Sequence, residues 1–338
     1  MAKIVILGAG AFGISLAIMA EESGHSVTMW SAFESEVESI IREGEHKDKL
    51  PGVKIPQSIS FTSDISCVKD ADMVIIGVPS IFVRKVVKQA SSYLSKDTII
   101  VNTSKGLEDE SYLRMSQVIK EEIGEDASVV VLSGPSHAEE VARKIPTTIS
   151  AASEDIKAAY KVQEALSNGS LRIYVNDDVI GSELGGALKN IIALCAGVCD
   201  GLGYGDNTIA ALMTRGITEI ARLGVAMGAR LDTFFGLTGI GDLIVTCTSL
   251  HSRNRRAGTL IGQGTTPDEA VEKVGTVEGY YCCKAAYGLS RKMGVEMPIT
   301  EQLYKVLFEN ADINEPLSLL MNRPSKHERE ENIFNPGM

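Results

Sequence analysis

Short apolar runs alternate with longer helix-like segments through the first half of the chain. Five of the runs are rich in β-branched residues and bounded by turn residues, which is typical of buried parallel strands. They lie at residues 3–7, 26–30, 72–76, 98–101 and 128–132. Helix-like segments such as 11–22 and 81–94 separate them. This alternation predicts a parallel sheet with right-handed crossovers, and the runs at 146–151 and 171–174 predict additional edge strands.

The pattern changes near Asp177. From Gly181 to about Leu320 the chain is rich in Ala, Leu, Ile and Met, and apolar residues recur with the period of a helix. We therefore predict an α/β N-terminal domain of the Rossmann type, with a doubly wound parallel sheet, over residues 1–176. An all-α C-terminal domain is predicted over residues 177–323, and a loosely held polar tail over residues 324–338.

A glycine-rich segment joins the first predicted strand to the first predicted helix. Gly8, Gly10 and Gly13 give the spacing G-x-G-x-x-G within GAGAFG. In this context the first glycine permits a tight turn, the second lets the backbone approach a pyrophosphate, and the third lets the helix pack closely on the strand. The pyrophosphate would lie on free N–H groups at the positive end of the helix. A merely tight turn is the alternative, and the context favours a nicotinamide dinucleotide site.

The acidic residue that completes many NAD sites is not evident after the second predicted strand. That strand ends in WSAF at residues 30–33, the nearest acid is Glu34, and no Arg or Lys occurs before Arg42. An acid there would bind the ribose 2′-hydroxyl and repel a 2′-phosphate, whereas a basic residue would bind that phosphate. We therefore expect that both NAD and NADP serve as cofactor.

Composition narrows the possible partners. The 338 residues are 44% hydrophobic and 23% charged, which suits two folded domains. The net charge of −11 repels nucleic acid and anionic membranes, so we expect a small-molecule substrate and no nucleic-acid partner. An anionic substrate would need a local basic pocket.

The N-terminus imitates a signal peptide, because an uncharged run from Ile4 to Ala20 follows Lys3. Its strand-like and helix-like halves and its ordered glycines argue against that interpretation. The run is also too short for a membrane span, and we expect no later segment to be long enough. The sequence therefore predicts a soluble protein without a membrane anchor.

Six cysteines occur, and none forms a C-x-x-C pair. Cys247 and His251 stand four residues apart, but no second pair of ligands completes a zinc site, so we expect no metal. We interpret the cysteines as reduced, mostly buried thiols of a cytoplasmic protein.

Lys189 lies within the apolar helical segment LGGALKNIIALCAGVC, where only Asn190 is also polar. Burial of a lone lysine lowers its pKa toward neutrality, and such a lysine can exchange a proton with a substrate oxygen. The alternative is a lysine whose stem is buried while its ammonium group reaches solvent. The sequence leaves both open.

The densest basic cluster is SRNRR at residues 252–256, before an apolar stretch that predicts a helix. Arginine side chains and helix N–H groups suit a phosphate monoester, although a solvated charged face is the alternative.

Just upstream, GLTGIGD at 236–242 is interpreted as a close-approach turn that presents Asp242, not as a second nucleotide site. Loops at 104–106 and 133–137 end predicted strands, so Lys105 is a second candidate for charge near a substrate, and His137 is interpreted as a helix-start residue.

Together these residues resemble one family, the bacterial-type NAD(P)-dependent glycerol-3-phosphate dehydrogenases. The resemblance runs from Lys3 to about Leu320. It rests on GAGAFG at 8–13, KLPG at 49–52, TSKGLE at 103–108, SGPSHAEEV at 133–141, GGALKNIIAL at 185–194, GLTGIGDL at 236–243, HSRNRRAG at 251–258 and VEGYY at 277–281. The family often has Ser at the position of Ala11, and Asn and Tyr at the positions of His46 and Lys49. Those departures concern the details of cofactor contact.

The resemblance implies interconversion of dihydroxyacetone phosphate and sn-glycerol 3-phosphate, which supplies the backbone of phospholipids. The implied catalytic residues are Lys189, Lys105 and Asp242. The cofactor contacts are Gly8, Gly10, Ala11, Phe12, Gly13, Ala32, Lys105, Ala138, Arg253, Thr276 and Glu278. The substrate contacts are Lys105, Gly134, Ser136, Lys189, Asp242, Ser252, Arg253 and Asn254.

We expect Lys189 to protonate the alkoxide that forms when hydride reaches the ketone carbon. Lys105 would stabilise that charge, and Asp242 would orient Lys189 or a substrate hydroxyl. Arg253 and Asn254 would hold the phosphate.

Two alternatives remain at this stage. One is a related dehydrogenase that acts on a hydroxyacyl thioester or a keto acid. The other is a dinucleotide-binding sensor without catalytic activity, which would have no reason to keep a buried lysine together with an arginine cluster. A homodimer is possible, but the apolar helical half also needs its apolar residues for its own core.

Overall fold

The computed structural model describes residues 1–325 and 327–328, and they fall into two units. Unit 1 comprises Met1–Ser104 and Met115–Val179, and unit 2 comprises Lys105–Arg114 and Ile180 onward. The segment Lys105–Arg114 therefore belongs with the helical half, although the sequence places it in the α/β domain. Most of the predicted polar tail, residues 324–338, lies outside the described residues.

Unit 1 is built on one eight-stranded sheet. Its strands are β1 Lys3–Leu7, β2 Ser26–Trp30, β3 Ser60–Thr62, β4 Met73–Ile76, β5 Ile99–Asn102, β6 Val129–Ser133, β7 Thr147–Ala152 and β8 Leu171–Asn176. They lie in the order β3-β2-β1-β4-β5-β6-β7-β8. The first six run parallel, and β1 lies between β2 and β4, which is the strand order of a doubly wound dinucleotide-binding sheet. The predicted fold class is confirmed.

Two features of the sheet differ from the sequence expectation. The strand β7 pairs antiparallel with β6 and parallel with β8, so it is internal and only β8 lies at the edge. The three-residue strand β3 was not predicted, because it is short and half-exposed and carries no continuous apolar run.

Helices connect the strands of unit 1. They are α1 Ala11–Glu22, α2 Glu34–Glu43, α3 Val83–Ala90, α4 Met115–Ile123, α5 Ala138–Ala142 and α6 Ile156–Leu166. The helix α1 buries Ile14, Leu16 and Met19 completely against the sheet, in a core that also contains Ile4 and Ile6 of β1. Because β1 and α1 are both buried in this core, the turn between them is held rigidly from both ends.

The described part of unit 2 is helical, apart from one isolated antiparallel bridge between Leu107 and Arg114. Its helices are α7 Val179–Gly201, α8 Asp206–Ala226, α9 Asp242–Thr248, α10 Arg253–Gly262, α11 Pro267–Val274, α12 Glu278–Met293, α13 Pro298–Phe308 and α14 Glu315–Met321. The helix α7 is the centre of this unit: Leu188, Ile191 and Leu194 have no exposed surface.

The helix α7 is long and apolar enough to cross a membrane by length and composition, with 23 residues and a mean hydropathy of 1.3. The expectation that no later segment has this length is therefore wrong. Within the structure, 89% of the most apolar window of α7 is buried, which is the environment of a core helix.

Small residues let α7 and α10 approach closely. A Cβ atom on Gly197 would lie 2.0 Å from the carbonyl oxygen of Arg255, and one on Gly258 would lie 2.1 Å from that of Leu194. The Arg255 guanidinium also donates to Asp200 of α7, with an Nε–Oδ2 distance of 2.6 Å. These contacts fix the start of α10 against the helix that carries Lys189.

All six cysteines lie within the described residues as free thiols. Cys247, Cys282 and Cys283 are buried, and the other three are half-buried. The expectation of mostly buried thiols is therefore correct for half of them.

Candidate active site

The turn after β1 in unit 1 is shaped by its glycines. Gly8 has φ +118°, a conformation that L side chains rarely adopt, and its N–H donates to the Trp30 carbonyl of β2 at 2.8 Å. A Cβ atom on Gly8 would lie 3.0 Å from the backbone of Gly77, which follows β4. The turn therefore lies at the carboxyl end of β1, where the strand order reverses and where such sheets bind their ligands.

Gly13 brings α1 against this turn. A Cβ atom on Gly13 would lie 2.6 Å from the carbonyl oxygen of Gly8, so any side chain there would push the helix away. The predicted close packing is confirmed. The helix starts with Ala11 after an extended Gly10, has no acidic residue in its first turn, and leaves its first N–H groups without intrahelical acceptors. This cradle fits the pyrophosphate of a dinucleotide.

The carboxyl end of β2 carries an acid that the sequence interpretation missed. Glu36 of α2 accepts hydrogen bonds from the Ser31 hydroxyl and from the Lys49 ammonium, the latter at 2.6 Å. His46 also contacts Glu36, with an Nε2–Oε1 distance of 3.0 Å. Burial raises the pKa of Glu36, but the hydrogen bonds from Lys49, Ser31 and His46 outweigh it and lower the pKa below its ordinary value.

This cluster corrects the expectation that no basic residue lies near the end of β2. Glu34, the nearest acid along the chain, is exposed, whereas Glu36 is turned toward Ser31. His46 and Lys49 come from the loop after α2, so only the folded chain brings them here. Ala32 is exposed beside them.

The loop after β6 carries the other predicted positions of unit 1. Gly134 has φ +135°, and a Cβ atom on it would lie 3.0 Å from the Ile149 Cα of β7. The Ser136 hydroxyl donates to the Gly134 carbonyl at 3.0 Å. His137 precedes α5, as predicted, and the first residue of that helix, Ala138, accepts a hydrogen bond from Ser15 of α1 at 2.8 Å. The start of α5 is thereby tied to the helix of the glycine turn.

In unit 2, Lys189 lies in the middle of α7 with only 7% of its side chain exposed. Its ammonium group is 3.1 Å from Asp242 Oδ1 and donates to the Thr246 hydroxyl at 2.6 Å. Burial lowers the pKa of Lys189 to about 8, the charge of Asp242 opposes this shift, and the charge of Lys105 adds to it. The sequence-based expectation of a buried lysine with a lowered pKa is confirmed, and the solvent-reaching alternative is wrong.

Lys105 contacts the same carboxylate from the other side. Its ammonium group lies 2.7 Å from Asp242 Oδ2, and 20% of its side chain is exposed. Burial raises the pKa of Asp242, but the charges of Lys105 and Lys189 outweigh it, so the pKa lies below the ordinary value. The structure thus brings the three predicted catalytic residues together. We call them, with Thr246, the two-lysine cluster.

Thr246 was not predicted from the sequence. It lies one helical turn after Asp242 on α9, and its hydroxyl accepts from Lys189 while donating to the Asp242 carbonyl at 2.6 Å. The four-residue spacing on one helix face is the signal that could have revealed it.

The glycine-rich segment before Asp242 is helical, which corrects its interpretation as a turn. Leu237–Gly241 forms one π-helical turn that continues directly into α9, so Asp242 is the first residue of that helix. The predicted close approach is confirmed, because a Cβ atom on Gly239 would lie 2.1 Å from the Phe234 carbonyl oxygen. Single π-helical turns are frequent at functional sites, because they redirect side chains that a regular helix would place elsewhere.

The basic cluster opens α10, as the sequence predicts. Ser252 caps the helix by accepting from the Arg255 N–H at 3.2 Å, and Arg255 itself is bound to Asp200. Arg253 and Arg256 are exposed, and neither has an ion pair among the residues that the structure describes. Arg253 is therefore available for an anionic ligand, whereas Arg255 has a structural role.

Asn254 links three helices of unit 2. Its amide donates to Asn190 Oδ1 at 2.9 Å, and its oxygen accepts from the Gly279 N–H at 2.8 Å. Asn190 adjoins Lys189, and Gly279 follows Glu278 at the start of α12. The predicted positions Thr276 and Glu278 are both half-exposed at this helix start. These two bonds use only one of the two amide hydrogens of Asn254, so the other can serve a ligand.

In the part of the chain that the structure describes, no group of three His, Cys, Asp or Glu side chains could hold a metal ion. Cys247 lies close enough to Lys189 to influence its pKa, but its own pKa is raised to about 12 by burial, so it is an inert neighbour.

Comparison with known proteins decides the family. A model for the N-terminus of NAD-dependent glycerol-3-phosphate dehydrogenase matches residues 3–159, and a model for its C-terminus matches residues 178–318. The chain belongs to the NAD-dependent glycerol-3-phosphate dehydrogenase family. The resemblance inferred from the sequence is thereby confirmed, and so is its assignment to the oxidoreductases that use NAD(P).

Relatives within this family match almost the entire chain. A glycerol-3-phosphate dehydrogenase [NAD(P)+] from Clostridium perfringens is 52% identical, covering 97% of this chain and 99% of its own. The protein of the same name from Listeria innocua is 51% identical, covering 97% and 98%. The crystal structure of a glycerol-3-phosphate dehydrogenase from Coxiella burnetii, 36% identical, superposes with a TM-score of 0.92 over 95% of this chain and 99% of its own.

Proposed function

We propose that this chain is a glycerol-3-phosphate dehydrogenase [NAD(P)+] that reversibly reduces dihydroxyacetone phosphate to sn-glycerol 3-phosphate. The observation that carries the proposal is the two-lysine cluster, where buried Asp242 contacts both Lys105 and Lys189. A secondary alcohol forms from a ketone only if a proton reaches the oxygen as hydride reaches the carbon. The cluster supplies a buried acid with a pKa suited to this transfer. We further propose that the product serves glycerophospholipid synthesis.

The proton donor in this proposal is the ammonium group of Lys189. Two of its three N–H bonds point to Asp242 and Thr246, which leaves one for the substrate oxygen. With a pKa of about 8, the group is mostly protonated at neutral pH and loses its proton easily. In the oxidative direction the neutral amine accepts the proton from the alcohol.

Asp242 has two tasks in the proposed mechanism. It orients Lys189, and it holds Lys105 where a second positive charge can stabilise the developing alkoxide. The cluster contains two ammonium groups and one carboxylate, so it carries a net positive charge within a chain of net charge −11. This supplies the local basic pocket that an anionic substrate requires.

We assign the substrate phosphate to the start of α10. Ser252 begins the helix, exposed Arg253 offers a guanidinium fork, and Asn254 can contribute an amide hydrogen. Binding of this non-reacting group would position the ketone carbon. In unit 1, Gly134 and Ser136 are assigned as further substrate contacts.

The dinucleotide is assigned to the glycine turn and the start of α1, with Gly8, Gly10, Ala11, Phe12 and Gly13 around its pyrophosphate. When bound in its reduced form, it supplies the hydride. Further contacts are assigned to Ala32, Lys105, Ala138, Arg253, Thr276 and Glu278. Because the negative charge of Glu36 is paired with the positive charge of Lys49, the end of β2 neither strongly repels nor strongly attracts a 2′-phosphate. This pairing supports the use of both NAD and NADP.

A steady-state assay tests the function. We expect oxidation of both NADH and NADPH in the presence of dihydroxyacetone phosphate, and little with acetoacetyl-CoA or ketopantoate. Faster turnover of either of those compounds would indicate the hydroxyacyl thioester or keto acid reaction instead. Tight cofactor binding without turnover of any ketone would indicate a sensor.

We also propose that the protein works in the cytoplasm, which cell fractionation can test. A homodimer is proposed from exposed apolar side chains of unit 2, because Phe235 and Leu250 are 57% and 79% exposed. Sedimentation equilibrium would give twice the chain mass of 36.2 kDa if this is correct.

A further inference from the structure

The segment Lys105–Arg114 folds back on itself, so its two ends lie near each other. Leu107 and Arg114 form an antiparallel bridge, and the Glu108 N–H donates to the Leu113 carbonyl at 3.0 Å. We call this segment the Lys105 hairpin. Its first residue belongs to the two-lysine cluster, and its last residue, Arg114, is almost entirely buried.

Arg114 forms an ion pair with Glu183 of α7, with an Nη1–Oε2 distance of 2.5 Å. The two side chains are 10% and 4% exposed. Glu183 lies six residues before Lys189, fewer than two helical turns away on the same helix. This buried ion pair therefore connects the hairpin that carries Lys105 to the helix that carries Lys189.

Other contacts of the hairpin hold it against α12. A Cβ atom on Gly288 would lie 2.4 Å from the Tyr112 hydroxyl oxygen, so the hairpin packs directly on this helix. Leu107 is buried in the core of unit 2. The Lys284–Asp109 ion pair is half-exposed and adds little, because exposed pairs are weak. Leu107 shares that core with residues of α7, and the Arg114–Glu183 ion pair adds a polar contact between the hairpin and the same helix.

We propose that Arg114 and Glu183 are positioning residues that hold Lys105 against Asp242 and so fix the distance between the two lysines of the cluster. This inference rests on the proposed function for its catalytic consequence. A buried ion pair of this kind contributes little to the free energy of unfolding, because the cost of desolvating the two charges cancels much of their attraction. Its geometric effect is specific, since it joins the last residue of the hairpin to α7.

Loss of the pair has a consequence for Lys189 itself. Asp242, Lys105 and Cys247 are ionisable groups that act on the pKa of Lys189. If Lys105 leaves Asp242, Lys189 loses a neighbouring positive charge and keeps the whole carboxylate. Both changes raise the pKa of Lys189 above about 8, toward its ordinary value.

The test compares Glu183→Gln and Arg114→Lys with Glu219→Gln. Glu219 is the matched control, because it is also buried, but its carboxylate accepts from the Ile299 and Thr300 N–H groups at the start of α13. The pKa of Lys189 is read from the pH dependence of kcat for ketone reduction. It is also read by competitive acetylation of Lys189 as a function of pH, quantified by peptide mass spectrometry.

We expect Glu183→Gln to raise the pKa by about one unit and to lower kcat by about tenfold, with a smaller shift in Arg114→Lys. Glu219→Gln should lower the melting temperature without moving that pKa. The proposal is overturned if both hairpin variants keep the wild-type pKa, as they would if the pair only stabilised the fold. Acetylation does not require turnover, so it tests the pair even if dihydroxyacetone phosphate is not a substrate. Should Glu183→Gln fail to fold, Arg114→Lys decides alone.

Discussion

The carboxylate of Asp242 lies 3.1 Å from the ammonium group of Lys189, and the two side chains are 2% and 7% exposed. Burial of the lysine is the dominant effect on its pKa, and the carboxylate prevents that pKa from falling further. The result is a cation that remains charged at neutral pH but lies close to losing its proton.

The first prediction concerns pH. In ketone reduction Lys189 must be protonated, so kcat should be constant near neutrality and fall as pH rises through about 8. In alcohol oxidation the neutral amine is required, so kcat should rise through the same value. Measuring kcat against pH in both directions checks this. The prediction would be contradicted if kcat changed only near the ordinary lysine pKa of 10.5. It would also be contradicted if kcat rose with pH in both directions or fell with pH in both directions.

The second prediction concerns phosphate binding at the start of α10. Arg253→Ala should raise KM for dihydroxyacetone phosphate by about tenfold or more, because a charged hydrogen-bond donor is lost, with a smaller change in kcat. Arg256→Ala is the matched control, since that arginine is also exposed and lies three residues further along the helix. An unchanged KM in Arg253→Ala, or equal effects of both changes, would remove Arg253 from the phosphate site.

The third prediction concerns the cofactor. The wild-type preference between NADH and NADPH should stay below about 1000-fold in kcat/KM. Lys49→Ala should shift that preference toward NADH, because Glu36 loses the ammonium group 2.6 Å away and its charge then repels a 2′-phosphate. Lys47→Ala serves as control, since Lys47 pairs with the half-exposed Glu43 instead. If Lys49→Ala instead lowers kcat/KM by the same factor with NADH and with NADPH, Glu36 and Lys49 do not contact the 2′ position of the cofactor ribose.

The end of β2 also shows where sequence reasoning stops. The strands β1 and β4 were predictable because each is a nearly continuous apolar run, and GAGAFG has a meaning fixed by its place between β1 and α1. The pairing of Glu36 with Lys49 could not be predicted, because it depends on which face of α2 turns toward Ser31. The nearest acid along the chain, Glu34, points to solvent instead.

The two-lysine cluster illustrates the same limit over a longer distance. The burial of Lys189 could be inferred from its apolar neighbours within one helix. Its hydrogen bond to Thr246 joins residues 57 positions apart, and the contact of Lys105 with Asp242 joins residues 137 positions apart. No local pattern encodes either contact. The direction of β7 is a similar case, because its apolar pattern is the same whether it pairs parallel or antiparallel with β6.

The fourth prediction tests the central claim, that Lys189 transfers the proton. Lys189→Met keeps the length and the apolar packing of the side chain but removes the ammonium group. We expect kcat for reduction of dihydroxyacetone phosphate to fall by about 1000-fold or more. The dissociation constant for NADH, measured by fluorescence titration, should stay unchanged, because the glycine turn of unit 1 is not altered.

Lys273→Met, a change of the same kind at an exposed lysine of α11, should leave kcat unchanged. The most direct measurement is therefore the single-turnover rate of Lys189→Met with saturating NADH and dihydroxyacetone phosphate. A rate about three orders of magnitude below wild type, with cofactor binding intact, is the result that the proposed mechanism predicts. A rate close to wild type would contradict it, because the proton would then have to come from another group.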